Sequence, residues 1–241
     1  MKYDIKWLGL DFGFTIGNPK RDIETTEKSM AQILSKHGIT NVDERIRNFR
    51  SLLDKAETIE CLIEQYREDF LKEVLDSNPE IIKSLHAYER SIFEPTLNVR
   101  EALRYVISKG IECAVITDAP TEEILCGIFI ERLETWELRR FFSNIYSPAG
   151  AVRHDGSMDY SYRGKTKRSG KLYDLLVEEL RSRLPHIDSQ NAAIVGDDII
   201  SDIEQPKIRG FRTFQYIGAI DRGESEADQK IENWLDLIRY V

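Results

Sequence analysis

The chain has 241 residues, with 34 Lys and Arg against 42 Asp and Glu, a formal charge of −8. At roughly 100–200 residues per domain, that length suits one large domain, or a core carrying a smaller appended one. A composition of 41% apolar and 32% charged residues excludes an intrinsically disordered chain, and the acidic balance argues against nucleic acid or an anionic membrane as partner.

The N-terminal stretch carries Asp4, Lys6 and Asp11 within its apolar run, which fits neither a signal peptide nor a membrane span. Ile5 to Leu10 is too short and too apolar for a surface helix and reads as a buried strand delivering Asp11 at its carboxyl end. From about Glu24 to Arg90 apolar residues recur at helical spacing (Ile33 and Leu34; Ile46, Phe49, Leu52 and Leu53; Leu62, Ile63, Tyr66, Phe70 and Val74), broken at Gly38 and Asn78-Pro79. This predicts three to five helices and no strand. Val99 to Ser108 follows as an amphipathic helix, and Ile111 to Ile116 as a strand ending in Thr117 and Asp118. Helical pieces over 121–133 and 134–142 lead to a brief strand at Asn144 to Tyr146, then a loop or hairpin over 147–166. A helix over 169–183 precedes a third buried strand, Ala192 to Val195, ending in Gly196-Asp197-Asp198. A helix from Asp202 to Arg209, a strand from Phe211 to Ile217 and an amphipathic helix over 226–240 complete the chain. The three cysteines, Cys61, Cys113 and Cys126, form no CxxC pair, so reduced thiols and a cytoplasmic location are expected.

Strand–helix alternation on both sides of a helical insert predicts an α/β fold: a Rossmann-like, doubly wound parallel sheet over 1–18 and 94–241, with an all-helical domain over 19–93. In such sheets ligands bind beyond the carboxyl ends of the strands. Three strands end in Asp11 with Thr15, in Thr117-Asp118, and in Asp197-Asp198 with Asp202, while a Lys-rich stretch opens the helix near 169. Massed carboxylates repel one another unless a cation joins them, and hard oxygen ligands without His or Cys favour Mg²⁺, itself suited to phosphate.

The runs LGLDFGFTI, GIECAVITD, a Lys before a helix, and AAIVGDDIISD resemble, in order and spacing, the four motifs of the haloacid dehalogenase-like (HAD) superfamily. The helical insert falls where that family carries its cap, and EPTLNVREALRYVISKGIECAVITD is similar to the stretch leading from cap to second motif. The resemblance implies that Asp11 is the nucleophile and that Mg²⁺ is bound by Asp11, the backbone carbonyl of Gly13 and Asp197. It further implies that Thr15, Thr117, Asp118 and Lys167 face the phosphoryl group, with Asp198 and Asp202 supporting the metal and the lysine. Lys167 is chosen because KRSGKLY is similar to the family's KPDPxxF/Y segment, with Tyr173 in the aromatic place; Lys165 and Lys171 remain open.

The family's phosphatases carry DxDGT, whereas this chain reads DFGFT, with Gly13 where the second Asp serves as general acid/base and Phe14 where Gly is usual. A positioned acid/base is worth roughly 10²–10⁴-fold. Three functions are therefore expected in order of preference: a Mg²⁺-dependent phosphatase or phosphotransferase acting on a small phosphorylated metabolite; carbon-centred chemistry of the haloacid dehalogenase or phosphonatase type; and a catalytically silent binding or regulatory protein. The last would be stabilised by a ligand without forming product. A monomer or homodimer is expected. The basic run YRGKTKRSGK lacks the glycine spacing of a phosphate loop and the aromatic interleaving of a nucleic-acid surface. His37, His86, His154 and His186 have no partner at metal-ligand spacing, and His154-Asp155, Tyr160 and Tyr162 are the candidate substitute proton donors.

Overall fold

A computed structural model describes residues 2–19, 23–56, 62, 66–119, 121–184 and 191–241; Cys61, Ile63 and His186 lie outside them. The central strand is β1, Trp7–Leu10, buried at all four positions. It pairs in parallel with β4, Glu112–Ile116, on one side and β8, Ala192–Gly196, on the other. A strand flanked on both edges and covered on both faces has no solvent side, which is why its sequence is continuously apolar. Gly9 is required here: a Cβ would lie 2.5 Å from Ile116 and 2.8 Å from Ile194.

β4 continues in parallel to β5, Phe142–Ser147, and β8 to β9, Arg212–Tyr216. The chain thus leaves β1 toward one edge, returns, and builds toward the other. The crevice left at β1 is the topological switch point of an open α/β sheet. The region expected as loop or hairpin forms antiparallel strands β6, Gly150–Val152, and β7, Met158–Asp159, which extend the sheet beyond β5.

The tail departs from expectation. Instead of one helix over 226–240, Gln229–Ile231 adds a parallel strand, β10, to β9, and only Trp234–Leu237 is helical, opened by an Asn233/Asp236 capping box. Asp228 supplies the reason: its carboxylate accepts from the Thr213 amide at 2.8 Å, fastening the segment to the open edge of β9. Tertiary pairing there overrides a helical pattern in the sequence. The helix expected from Asp202 starts earlier, as wide π-type turns over Ile199–Glu204 that run into Gln205–Ile208.

Helix Lys171–Arg183 buries Leu172, Tyr173, Leu176 and Leu180, one face at helical spacing, against Trp7, Ala114, Tyr146 and Ile194 of the sheet. The chain divides into two compact units, residues 1–18 with 95–241, and residues 19–94. The second unit carries helices Ile23–Lys36, Val42–Ala56 and Pro79–Ser91 around its own core of Met30, Leu34, Phe49, Leu52, Val74 and Ile81. Strands β2, Gly17–Pro19, and β3, Phe93–Pro95, pair as a separate two-stranded sheet where the chain crosses between units. Cys113 is buried and Cys126 exposed, both as free thiols. Among the described residues no helix is long and apolar enough to cross a membrane.

Candidate active site

Asp11 lies one residue past β1, its amide donating to the Val195 carbonyl at 2.8 Å, so the ladder with β8 fixes where its carboxylate begins. Asp197 follows β8, and Thr117 follows β4 with its amide bonded to Tyr146 at 2.9 Å. All three side chains are buried. After Asp11 the chain turns sharply: the Phe12 carbonyl accepts from Gly17 at 2.8 Å, and Phe14 adopts φ 54°, a left-handed conformation unusual for a bulky residue. The turn folds Thr15 back so that its hydroxyl donates to Asp197 Oδ1 at 3.3 Å.

Lys167 reaches this cluster from the segment before the helix, and its side chain is 5% exposed. Its Nζ donates to Asp11 Oδ1 and, at 2.8 Å, to Asp202 Oδ1. Its amide donates to Asp118 Oδ1 at 3.0 Å, so Asp118 is engaged with the lysine segment. Lys165 is half-buried and Lys171 exposed. Asp202 holds a second bond, accepting from the Asp198 amide at 3.1 Å. It occupies space that only glycine leaves, since a Cβ on Gly196 would stand 2.3 Å from its Cγ. Asp198 caps the turn beyond, accepting from the amide and hydroxyl of Ser201 at 2.8 and 2.6 Å. Tyr173 donates to the Ser201 carbonyl at 2.8 Å, fixing the same turn from the helix side.

Thr117 Oγ1 accepts from the Ala119 amide at 3.0 Å, which leaves its own hydrogen free to be donated. Gly13 faces open space: a Cβ there would meet nothing within 4 Å. Of the substitute proton donors, Tyr162 is buried with its hydroxyl given to Glu179 at 2.8 Å, and Asp155 is exposed, accepting from Ser157. Arg222 also enters the site without any sequence signal. This residue of the β9–β10 loop places Nε 2.7 Å from Asp197 Oδ2, and no motif or periodicity marks its position.

Burial dominates the electrostatics. It raises the Asp11 carboxyl above its usual range against the pull of Lys167. Burial and the nearby Asp11 charge push Asp197 up to about 6, with Arg222 and Lys167 opposing. Burial alone would depress Lys167, but the Asp11 and Asp202 carboxylates outweigh it and keep the ammonium protonated. Asp198 moves the other way, because the Ser201 bonds outweigh its burial. Oxygens of Asp11, Asp197 and Asp202 all lie within 4.8 Å of one another. Burial, with the Asp11 and Asp197 charges, also raises the Asp202 carboxyl; fully ionised, the three acids would exceed the cations of Lys167 and Arg222 by one negative charge. Buried hard oxygens with that excess fit a divalent cation such as Mg²⁺.

No family model and no curated protein matches the chain. Solved structures do, along nearly its whole length. A HAD-superfamily hydrolase of subfamily IA from Geobacter sulfurreducens superposes with a TM-score of 0.63 at 14% identity, covering 98% of this chain and 96% of its own. A HAD phosphatase from Thermococcus onnurineus gives 0.60 at 16% identity, covering 99% and 97%. The chain has the HAD-like fold. YfnB from Bacillus subtilis, assigned as a HAD hydrolase and bound to magnesium in its crystal, gives 0.62 at 14% identity, covering 99% and 98%. At such identities the likeness is one of fold, and the HAD-like sheet is what brings Asp11, Thr117 and Asp197 to neighbouring strand ends.

Proposed function

We propose that the protein is a Mg²⁺-dependent hydrolase or phosphotransferase acting on a small phosphorylated molecule through an aspartyl intermediate on Asp11. The observation that carries this proposal is the buried pairing of Asp11 with Lys167, beside Asp197 at the adjacent strand end. An Asp11 oxygen attacks phosphorus, forming the acyl-phosphate bond as the bond from phosphorus to the leaving oxygen breaks. Lys167 faces the charge shared by nucleophile and phosphoryl group, and Asp202 holds the ammonium in place. Thr117 donates its free hydrogen to a phosphoryl oxygen. Asp11, Asp197 and the Gly13 carbonyl would hold the ion, which when bound neutralises phosphoryl charge. Residues 1–18 with 94–241 then form the catalytic core, and 19–93 serve as the substrate-selecting helical cap.

Gly13 cannot protonate a leaving group or activate water, so turnover is slow or depends on leaving groups that need no proton. The lack of an acid/base side chain at Gly13 also supports a second reading, in which Asp11 attacks carbon or the site binds a ligand without turnover. Beryllium fluoride mimics a phosphoryl group on a carboxylate. With Mg²⁺ it is expected to raise the melting temperature of the wild-type protein and leave Asp11→Asn unchanged; equal responses would refute the nucleophile assignment. A panel of phosphorylated metabolites, haloacids and phosphonates, assayed with Mg²⁺ or EDTA, separates phosphorus from carbon as the centre attacked.

A further inference from the structure

The loop carrying Arg222 is built rather than loose. Gln215, fully buried on β9, grips it with both ends of its amide: Nε2 donates to the Gly223 carbonyl at 3.3 Å, and Oε1 accepts from Ser225 at 2.7 Å. Lys230 donates to the same Gly223 carbonyl at 3.1 Å, and Asp221 Oδ1 accepts from the Gly223 amide at 2.9 Å. Gly223 has φ 91°, a backbone state that favours glycine. Arg222 is thereby held with Nε on Asp197 Oδ2 and its guanidinium carbon 5.8 Å from the centre of the Phe14 ring. That separation is within cation–π reach.

The two oxygens of Asp197 therefore have different partners. Oδ1 accepts from Thr15, whose side chain is also a hydrogen-bond partner of Asp11, while Oδ2 is taken by Arg222. A monodentate carboxylate must present one chosen oxygen to an ion, and a bond to its other oxygen fixes that choice. Phe14 contributes by holding a left-handed backbone, a strained state that persists only where the surroundings impose it. Its ring lies under the guanidinium, so the strain coincides with a contact that seats Arg222.

We propose that Phe14 and Arg222 act together as positioning residues for divalent-ion binding, the ring seating the guanidinium and the guanidinium turning Asp197 so that Oδ1 faces Asp11. The inference rests on the proposal that Asp11 and Asp197 hold the ion, and it deepens that proposal by assigning the orientation of one ligand to Arg222, which lies outside the motifs, and to Phe14, where the first motif departs from the family's pattern.

The test is Mg²⁺ affinity by titration calorimetry on the full chain, with the metal-free melting temperature followed alongside. Arg222→Gln should weaken Mg²⁺ binding about 10- to 100-fold. Arg222→Lys, which keeps the charge but not the planar fork, should recover only part of the loss. Phe14→Gly accepts the same backbone and removes the ring; it should weaken binding about 2- to 5-fold. The double variant should be no weaker than Arg222→Gln alone. Tighter binding by Arg222→Gln would overturn the proposal by showing that the guanidinium competes with the ion. Unchanged affinity, or a loss confined to the melting temperature, would overturn it by reducing Arg222 to a loop ion pair. Failure of the wild-type protein to bind Mg²⁺ would remove the metal reading itself, whereas binding indifferent to Arg222 removes only this inference.

Discussion

Lys167 Nζ donates to Asp11 Oδ1 although 156 residues separate them in sequence, and both side chains are almost wholly buried. The same ammonium holds Asp202 at 2.8 Å, so one cation bridges two acids that would otherwise face each other across a dry pocket. Deleting one partner of a buried charge cluster leaves the others uncompensated, at a cost of about 3–5 kcal/mol.

Lys167→Met should therefore lower metal-free stability by about that amount, measured by urea denaturation in EDTA. Lys167→Arg, which keeps the charge, should lose less. Excess Mg²⁺ should return part of the stability to the Met variant, because a divalent ion answers the same repulsion. Turnover of any substrate found should drop at least about 100-fold. Unchanged stability in EDTA would contradict the electrostatic role given to the lysine.

Gly13→Asp tests the missing acid/base. The Cβ enters open space and the backbone is not left-handed, so the fold should tolerate the change. If the proton is what limits a phosphatase, steady-state turnover should rise by about 10²–10⁴-fold. A folded, Mg²⁺-binding variant with no gain would direct attention to attack at carbon or to binding without turnover.

Asp197 makes stability depend on pH with a defined sign. Its folded-state value of about 6 lies above the ordinary 3.8, so between those values the native protein holds a proton that the unfolded chain has released. Its contribution to metal-free stability is complete below about pH 4 and is lost as pH rises through about 6. The melting temperature in EDTA should accordingly decline from pH 5 to pH 7, and Asp197→Asn should shrink that decline. Mg²⁺ affinity should run oppositely, falling about tenfold per pH unit below 6 as the proton competes with the ion. A melting temperature that rises over this interval in the wild-type protein would contradict the shift.

Much of the fold was legible because buried parallel strands leave a strong mark. WLGL, ECAVI and AAIVG are unbroken apolar runs, and each stops where a polar side chain enters the crevice. The helices of residues 19–94 were legible from their periodicity. The tail was not. Its residues repeat at helical spacing, but an unpaired β9 edge offered hydrogen bonds to Gln229–Ile231 that a local pattern does not record. Arg222 was equally silent, a loop residue whose meaning depends on Gln215 fixing the loop beside Asp197.

The amino-acid order by itself settled the α/β alternation and which polar side chains stand at strand ends, because backbone pairing and burial act over a few neighbouring residues. Only the tertiary structure decided that Lys167 bridges Asp11 and Asp202, that Asp118 and Asp198 bond to backbone amides, and that Arg222 bonds Asp197 while lying over the Phe14 ring. Those contacts are set by register, twist and loop closure across the whole sheet, which bring distant residues within bonding distance and leave no periodic trace in the chain.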